Sequence, residues 1–384
     1  MSIQPFTIAI PQTTLDDLRE RLARTRWPDE VEDAGWDYGA KLSYMKELVA
    51  YWLQTFDWRT QEAKLNRFAH FKADVDGVGI HFMHERGKGP APLPIVLTHG
   101  WPDSFYRMHK IIPLLTDPAN YGGDPADAFD VIVPSLPGYG FSDKVHGATS
   151  IRIAELFARL MTDVLCYKRF AAGGGDIGSR VTRLLALSHP EALVGIHLTD
   201  VGFPGEPAGI FPSDLSNPSP AEQQFLGSVG QWFMQEGGYA MLQSTKPQTP
   251  SYGLNDSPVG LAAWLVEKFR AWSDCAGDVE QRFSKDELLT QIMIYWATET
   301  ISSSARLYYD DAHAAPQLKP GQYIEIPAGV ATFPKDLTLP PRELGERFLR
   351  VQRWTEMPRG GHFAALEEPQ LLAEELRAFF RPLR

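Results

Sequence analysis

The chain is poor in cysteine. Cys166 and Cys275 are its two thiols in 384 residues, too few for a disulfide framework, so a reducing compartment suits it. It has no run of 18 apolar residues, which excludes an ordinary transmembrane helix. It has no basic run either. Thirty-seven Lys and Arg against 48 Asp and Glu leave a formal charge of −11, which argues against nucleic acid as a partner. The opening Met1-Ser2-Ile3-Gln4-Pro5 lacks the charged and apolar regions of a secretory signal. A cytoplasmic protein without a membrane anchor is the expectation. Metal-ligand spacing is also missing. His81 and His84 lie three apart on a predicted strand and so face opposite sides. No metal and no cofactor is expected.

What is present is a large apolar content, 43% of residues, enough for an extensive core. Its distribution divides the chain. Residues 1–65 read as a mainly helical extension: Leu15, Leu18 and Leu22 share helical spacing, as do Tyr44, Leu48, Tyr51 and Trp52. Strand signals then begin. Arg67 to Val75 and Ile80 to Glu85 flank Asp76-Gly77, a hairpin turn signal. Leu93 to Thr98, Asp130 to Val133, Arg169 to Gly174 and Gly195 to Leu198 are apolar runs of the kind buried on both faces. Helical stretches separate them, so a mostly parallel sheet with helices on both sides is expected. The strand pattern stops after about residue 202. Amphipathic helices over Ala221 to Gln235, Pro258 to Trp272 and Asp286 to Tyr309 predict a helical cap at 203–316. The α/β rhythm returns at 317–384, with Val330 to Phe333, Phe348 to Trp354 and a closing helix from Glu367 to Phe380. Core segments 66–202 and 317–384 thus bracket the cap.

Phe170-Ala171-Ala172-Gly173-Gly174-Gly175-Asp176-Ile177-Gly178-Ser179-Arg180 is the most informative segment. It reads as a strand, a tight glycine-rich turn with one acid at its tip, and a helix start. That is the outline of a nucleophile elbow with Asp176 where a serine hydrolase has serine. A carboxylate can attack an alkyl carbon and form an ester that water later opens. On its own the segment reads equally well as a phosphate-binding loop or a plain turn. Three further strand ends add to it. His99-Gly100-Trp101-Pro102 follows one strand, Asp336 another, and His362 in Gly360-Gly361-His362-Phe363 a third. Reactive groups of such sheets gather at the strands' carboxyl ends. The chain order of nucleophile, acid, histidine is that of the α/β-hydrolase arrangement. Asp200, after Gly195 to Thr199, is an alternative acid for the histidine. Backbone N–H groups of Trp101 and Ile177 are the candidate oxyanion donors. Phe141, Trp232, Phe233 and Phe363 are candidate pocket aromatics, and core packing accounts for each equally well.

With these residues assembled, the chain resembles epoxide hydrolases of the α/β-hydrolase fold, most of all the microsomal-type branch with its N-terminal extension. Phe6-x-Ile8-x-Ile10-Pro11, Thr25-Arg26-Trp27-Pro28, His99-Gly100-Trp101-Pro102 and Gly360-Gly361-His362-Phe363-Ala364-Ala365 carry the resemblance. It implies Asp176 as nucleophile, His362 as base and Asp336 as its orienting acid. It also implies two cap tyrosines that protonate the epoxide oxygen. Tyr239 in Gly238-Tyr239-Ala240-Met241 matches the first. Tyr308, ten residues beyond Thr298 in Tyr295-Trp296-Ala297-Thr298-Glu299, fits the second better than Tyr309. The reaction implied is an apolar epoxide plus water to a vicinal diol. A dehalogenase using the same nucleophile and a non-catalytic small-ligand binder are the alternatives. The aromatic N-terminal arm offers a surface for a homodimer.

Overall fold

The computed structural model describes residues 3–203, 215, 217–314 and 322–384. Among these, nine strands form one sheet: β1 (Ile3–Phe6), β2 (His70–Val75), β3 (Val78–Glu85), β4 (Leu93–Thr98), β5 (Phe129–Pro134), β6 (Phe170–Gly174), β7 (Leu193–Leu198), β8 (Ile324–Thr332) and β9 (Leu349–Glu356). Their order is β1-β2-β3-β5-β4-β6-β7-β8-β9. The β1–β2, β2–β3 and β3–β5 pairs are antiparallel, and every pair from β5 to β9 is parallel. This is the α/β-hydrolase fold, with a mostly parallel sheet.

Local chemistry explains the elements. Asp76 and Gly77 both take positive φ, 54° and 81°, the turn geometry that joins two twisted strands tightly. Strand β5 is buried along its whole length, as is β7, because helices cover the parallel part of the sheet. On β7, His197 packs against Phe379 of the helix Pro369–Phe380. Ile196 and Leu198 point the other way by strand alternation. The helix Ile177–Ser188 packs beside Ser150–Arg159 and reaches β4, β6 and β7.

Between Ser219 and Ala314 the described chain is helical and carries no strand. Ser219 with Glu222, and Ser284 with Glu287, close capping boxes at the starts of Pro220–Glu236 and Lys285–Thr298. The cap is pinned to the core. Gln291 donates to the Pro102 carbonyl at 3.1 Å, and the Tyr295 hydroxyl donates to the Asp103 carbonyl at 2.8 Å.

Several expectations need correction. The N-terminal segment, expected to be mainly helical, carries helices Gln12–Ala23, Leu42–Gln54 and Trp58–Leu65, but an edge strand that was not expected, Ile3–Phe6, precedes them. That segment spans both bodies. Its strand joins the sheet, while Tyr51 and Gln61 bond Asp286 of the cap at 2.9 and 3.0 Å. The single helix expected over Asp286 to Tyr309 is two, Lys285–Thr298 and Ile301–His313. Glu299 takes φ +53° between them, a conformation that ends a helix. Two further cap helices, Gly238–Thr245 and Gln248–Asp256, were not foreseen. The strand expected to begin at Val330 begins at Ile324, and the closing helix is broken between Glu367 and Pro369. Both expected cap junctions run into residues outside the described set, 204–214 and 315–321.

Candidate active site

The turn from β6 into the helix Ile177–Ser188 places Asp176 at φ 59°, ψ −131°. A non-glycine residue there is strained, by roughly 1–3 kcal/mol. The surroundings impose it. A Cβ on Gly178 would stand 2.1 Å from the Thr98 carbonyl oxygen, so the helix can meet β4 this closely only with glycine. A Cβ on Gly100 would stand 2.2 Å from Asp176 Oδ1. Asp200 contributes differently from the expectation. Its Oδ2 accepts the Asp176 backbone N–H at 2.7 Å, and its carbonyl accepts the Ser179 hydroxyl at 2.6 Å. It braces the elbow and is not the partner of the histidine ring.

Three strand-end loops converge on the Asp176 carboxylate. The Trp101 backbone N–H donates to Oδ1 at 2.8 Å. Ile177, whose amide follows Asp176 directly, is the first residue of the helix and is buried. His362 Nε2 lies 3.5 Å from Asp176 Oδ2. Its Nδ1–H donates to Asp336 Oδ1 at 2.7 Å. Asp336 Oδ1 also accepts the Leu337 N–H at 2.7 Å, which fixes the carboxylate's orientation. The Asp336 and His362 loops are themselves paired through Lys335 and Gly361.

Burial opposes a charge on His362, but Asp336 on one side and Asp176 on the other push its pKa up to about 10. The two flanking acids thus favour the protonated ring.

The cap supplies the opposite wall. The Tyr239 ring stacks face to face on Trp101, centroids 4.9 Å apart and planes 7° apart. Tyr308 meets Trp101 and Tyr239 edge-on at 6.2 and 6.0 Å. Burial above all, with the Asp176 charge adding to it, raises both phenols above their ordinary value. Both remain proton donors across the physiological range. Tyr309 is half-exposed and stacks on His313, away from this group.

The pocket aromatics divide. Phe363 is fully buried beneath the histidine, stacked on Phe269 at 4.3 Å. Trp232 meets Trp272 at 6.4 Å, and Phe233 meets Trp232 and Phe203. Phe141 belongs elsewhere: its rings of contact are Phe6, His81 and Phe105. His81 itself is bonded to His70 and Ser135, and His84 to Tyr167. No group of three or more metal-ligating side chains occurs among the described residues.

Sequence reasoning missed Trp272, which sits at the centre of the wall. Its ring contacts Tyr239 at 5.1 Å and His362 at 5.4 Å, and its carbonyl accepts the His362 N–H at 2.8 Å. Nothing in the sequence distinguished it from the chain's other core tryptophans. It also missed Arg107, buried below the site. Arg107 is bonded to Asp103 at 2.5 Å and donates to the His362 carbonyl.

Residues 3–108 match the family described as Epoxide hydrolase N terminus, and residues 94–329 match the alpha/beta hydrolase fold. The chain is 39% identical over 407 residues to Epoxide hydrolase 1 of Sus scrofa, covering 98% of this chain and 88% of that protein. It is an epoxide hydrolase family member. A Stigmatella aurantiaca (strain DW4/3-1) protein that carries an epoxide hydrolase name is 46% identical over 387 residues, 100% of this chain and 86% of that one. The crystal structure of juvenile hormone epoxide hydrolase from the silkworm Bombyx mori superposes with a TM-score of 0.88 at 29% identity, covering 100% of this chain and 95% of that one. No described helix of this epoxide hydrolase is long and apolar enough to cross a membrane.

Proposed function

We propose that the enzyme opens apolar epoxides through a covalent ester on Asp176 and hydrolyses that ester with water activated by His362. The observation that carries this reading is the pair of contacts on one carboxylate: the Trp101 amide on Oδ1 and His362 beside Oδ2. Oδ1 is engaged by the amide, so Oδ2 is the attacking oxygen. It bonds to an epoxide carbon as the C–O bond of the ring breaks. Tyr239 or Tyr308 delivers a proton to the leaving oxygen, because an unprotonated alkoxide leaves poorly.

The ester removes the negative charge of Asp176, one of the two that support the imidazolium. His362 then gives up its Nε2 proton, which passes through solvent to the tyrosinate and restores the phenol. Neutral Nε2 takes a proton from water, and the hydroxide attacks the ester carbonyl carbon. Oδ1 becomes an oxyanion facing the Trp101 and Ile177 amides. As the bond from Cγ to Oδ2 breaks, the imidazolium protonates Oδ2 and the diol leaves with that oxygen; the acid proton left on Asp176 then passes to Nε2, restoring the imidazolium–carboxylate pair. Asp336 holds the ring and stabilises its charged form throughout. The aromatic wall of Trp101, Trp272, Tyr239 and Trp232 supports an aryl or alkyl epoxide as substrate.

Oxygen isotopes test this route. In a single turnover in heavy-oxygen water, the diol should carry no label and the peptide containing Asp176 should carry it. Label appearing directly in the diol, with none on Asp176, would reject the ester in favour of direct attack by water.

A further inference from the structure

Arg180 lies one turn after Asp176 on the elbow helix, and its backbone N–H donates to the Asp176 carbonyl at 3.3 Å. Its guanidinium reaches the cap. Nη1 donates to Asp311 Oδ2 at 2.7 Å, with the arginine side chain 10% exposed and the aspartate fully buried. Asp311 lies one turn after Tyr308 on the helix Ile301–His313. Its carboxylate is anchored on the core by the Ser150 N–H at 2.7 Å and the Ser150 hydroxyl at 2.6 Å. The hydrolytic scheme does not use this pair.

We propose that the Arg180–Asp311 ion pair is a positioning element for ring opening: it ties the helix presenting Asp176 to the helix presenting Tyr308 and sets a buried positive charge near both phenols. The proposal rests on Tyr308 being a proton donor. A buried ion pair is seldom a net source of stability over a well-packed apolar pair, so stability alone gives a weak reason for it. Geometry gives a stronger one. Ring opening needs Oδ2 on one face of the substrate and the phenol on the other, held to within a fraction of an ångström. A bond that joins the two helices one turn from each group controls that distance. The charge also bears on the proton. Burial is the largest influence raising the two phenols, and Arg180 opposes it in both. It thereby favours the tyrosinate that forms as the epoxide oxygen is protonated.

The test separates the two half-reactions, with styrene oxide as the probe. Alkylation is read as the rate of mass gain on Asp176 in a His362→Gln background. Ester hydrolysis is read in single turnovers of enzyme that retains His362. The double variant Arg180→Met, Asp311→Leu should slow alkylation by about tenfold or more, while hydrolysis changes less than about threefold. Arg180→Lys, which keeps the charge but loses the planar fork, should restore alkylation in part. A double variant that alkylates at the normal rate overturns the proposal. So does equal slowing of both half-reactions, which assigns the pair to general stability. If the double variant fails to fold, the same comparison of half-reactions in Arg180→Lys decides. Tyr308→Phe is measured alongside. Normal alkylation there refutes the phenol's role and the pair's with it, whereas slow alkylation beside a normal double variant refutes the pair alone.

Discussion

The two halves of the site are held by different forces. The core half, Asp176, Asp336 and His362, sits on loops at strand ends. Hydrogen bonds of 2.7 to 2.8 Å fix its carboxylates and its ring. The cap half, Tyr239 and Tyr308 on helices and Trp272 just past the end of one, meets the site through ring contacts at 4.9 to 6.2 Å, while its helices are tied to the core by a few polar bonds such as Arg180–Asp311. Hydrogen bonds are directional and set atoms to within a few tenths of an ångström. Ring pairs contribute about 0.5–1.5 kcal/mol each and tolerate sliding. The difference teaches a division of labour. On the proposed route, the reacting groups lie in the more tightly bonded half, and the proton donors lie in the half packed mainly by rings.

The largest effects should come from the core half, because its parts do not substitute for one another. Asp176→Asn removes the attacking oxygen and both half-reactions with it, so turnover should fall by about 10⁴-fold or more. His362→Gln should abolish steady turnover to a similar extent, yet leave the first half-reaction intact. Intact-mass measurement should then find one substrate bound covalently per chain, on the peptide bearing Asp176. A His362→Gln enzyme that turns over normally, or that never acquires the adduct, would undo the assignment of the histidine to the second step.

The cap half should give smaller effects that partly overlap. Tyr239→Phe and Tyr308→Phe should each slow alkylation, and the loss of a general acid is typically worth about 10²–10⁴-fold. The rings contact each other at 6.0 Å, so one hydroxyl can partly cover for the other. The double substitution should therefore cost more than either single one, with ester hydrolysis unaffected. If instead one single substitution slows alkylation as much as the double, one phenol is the sole donor and the cap is as exacting as the core.

The same contrast governs what could be read from the sequence. Strand β4 and the elbow were legible because their patterns are restrictive. A near-continuous apolar run from Leu93 to Thr98 suits a strand buried on both faces, and a glycine-dense turn between strand and helix suits a crowded elbow. Asp336 and His362 followed from their order along the chain. Asp200 could not be resolved that way: it shares the strand-end position, and only the direction of its carboxylate, toward the Asp176 N–H, separates the two acids. Strand β1 was not legible. It is four residues long, contains Pro5 and lies mostly exposed at the sheet edge, so it has no apolar alternation to detect. The helix break at Glu299 left a weaker trace in the small hydroxyl residues that follow, Thr300 and Ser302 to Ser304. Trp272 and Phe141 looked alike as aromatics in apolar surroundings. One lines the wall and the other packs under β1, because that choice depends on where the cap helices dock.

The seam between the halves is where the contrast can be sharpened with the smallest change. Glu367 spans it. Its carboxylate accepts the Gly361 and Phe363 N–H groups, on either side of His362, at 3.0 and 2.9 Å, and the Asp274 N–H of the cap at 2.8 Å. Burial outweighs these amides and pushes its pKa up to about 7. A carboxylate whose folded value exceeds its unfolded one binds its proton more tightly when folded. Its contribution to stability is thus fully present below about pH 4.5 and is lost as pH rises through about 7. Glu367→Gln removes this titration and turns an amide nitrogen toward one of the backbone donors. It should lower stability by about 1–3 kcal/mol and flatten the fall in melting temperature between pH 5 and 7 relative to the unaltered enzyme. Equal slopes in the two proteins would mean that Glu367 does not titrate there. A normal slope with slowed ester hydrolysis would instead assign Glu367 to holding the histidine loop alone, and the seam would then belong to the core half.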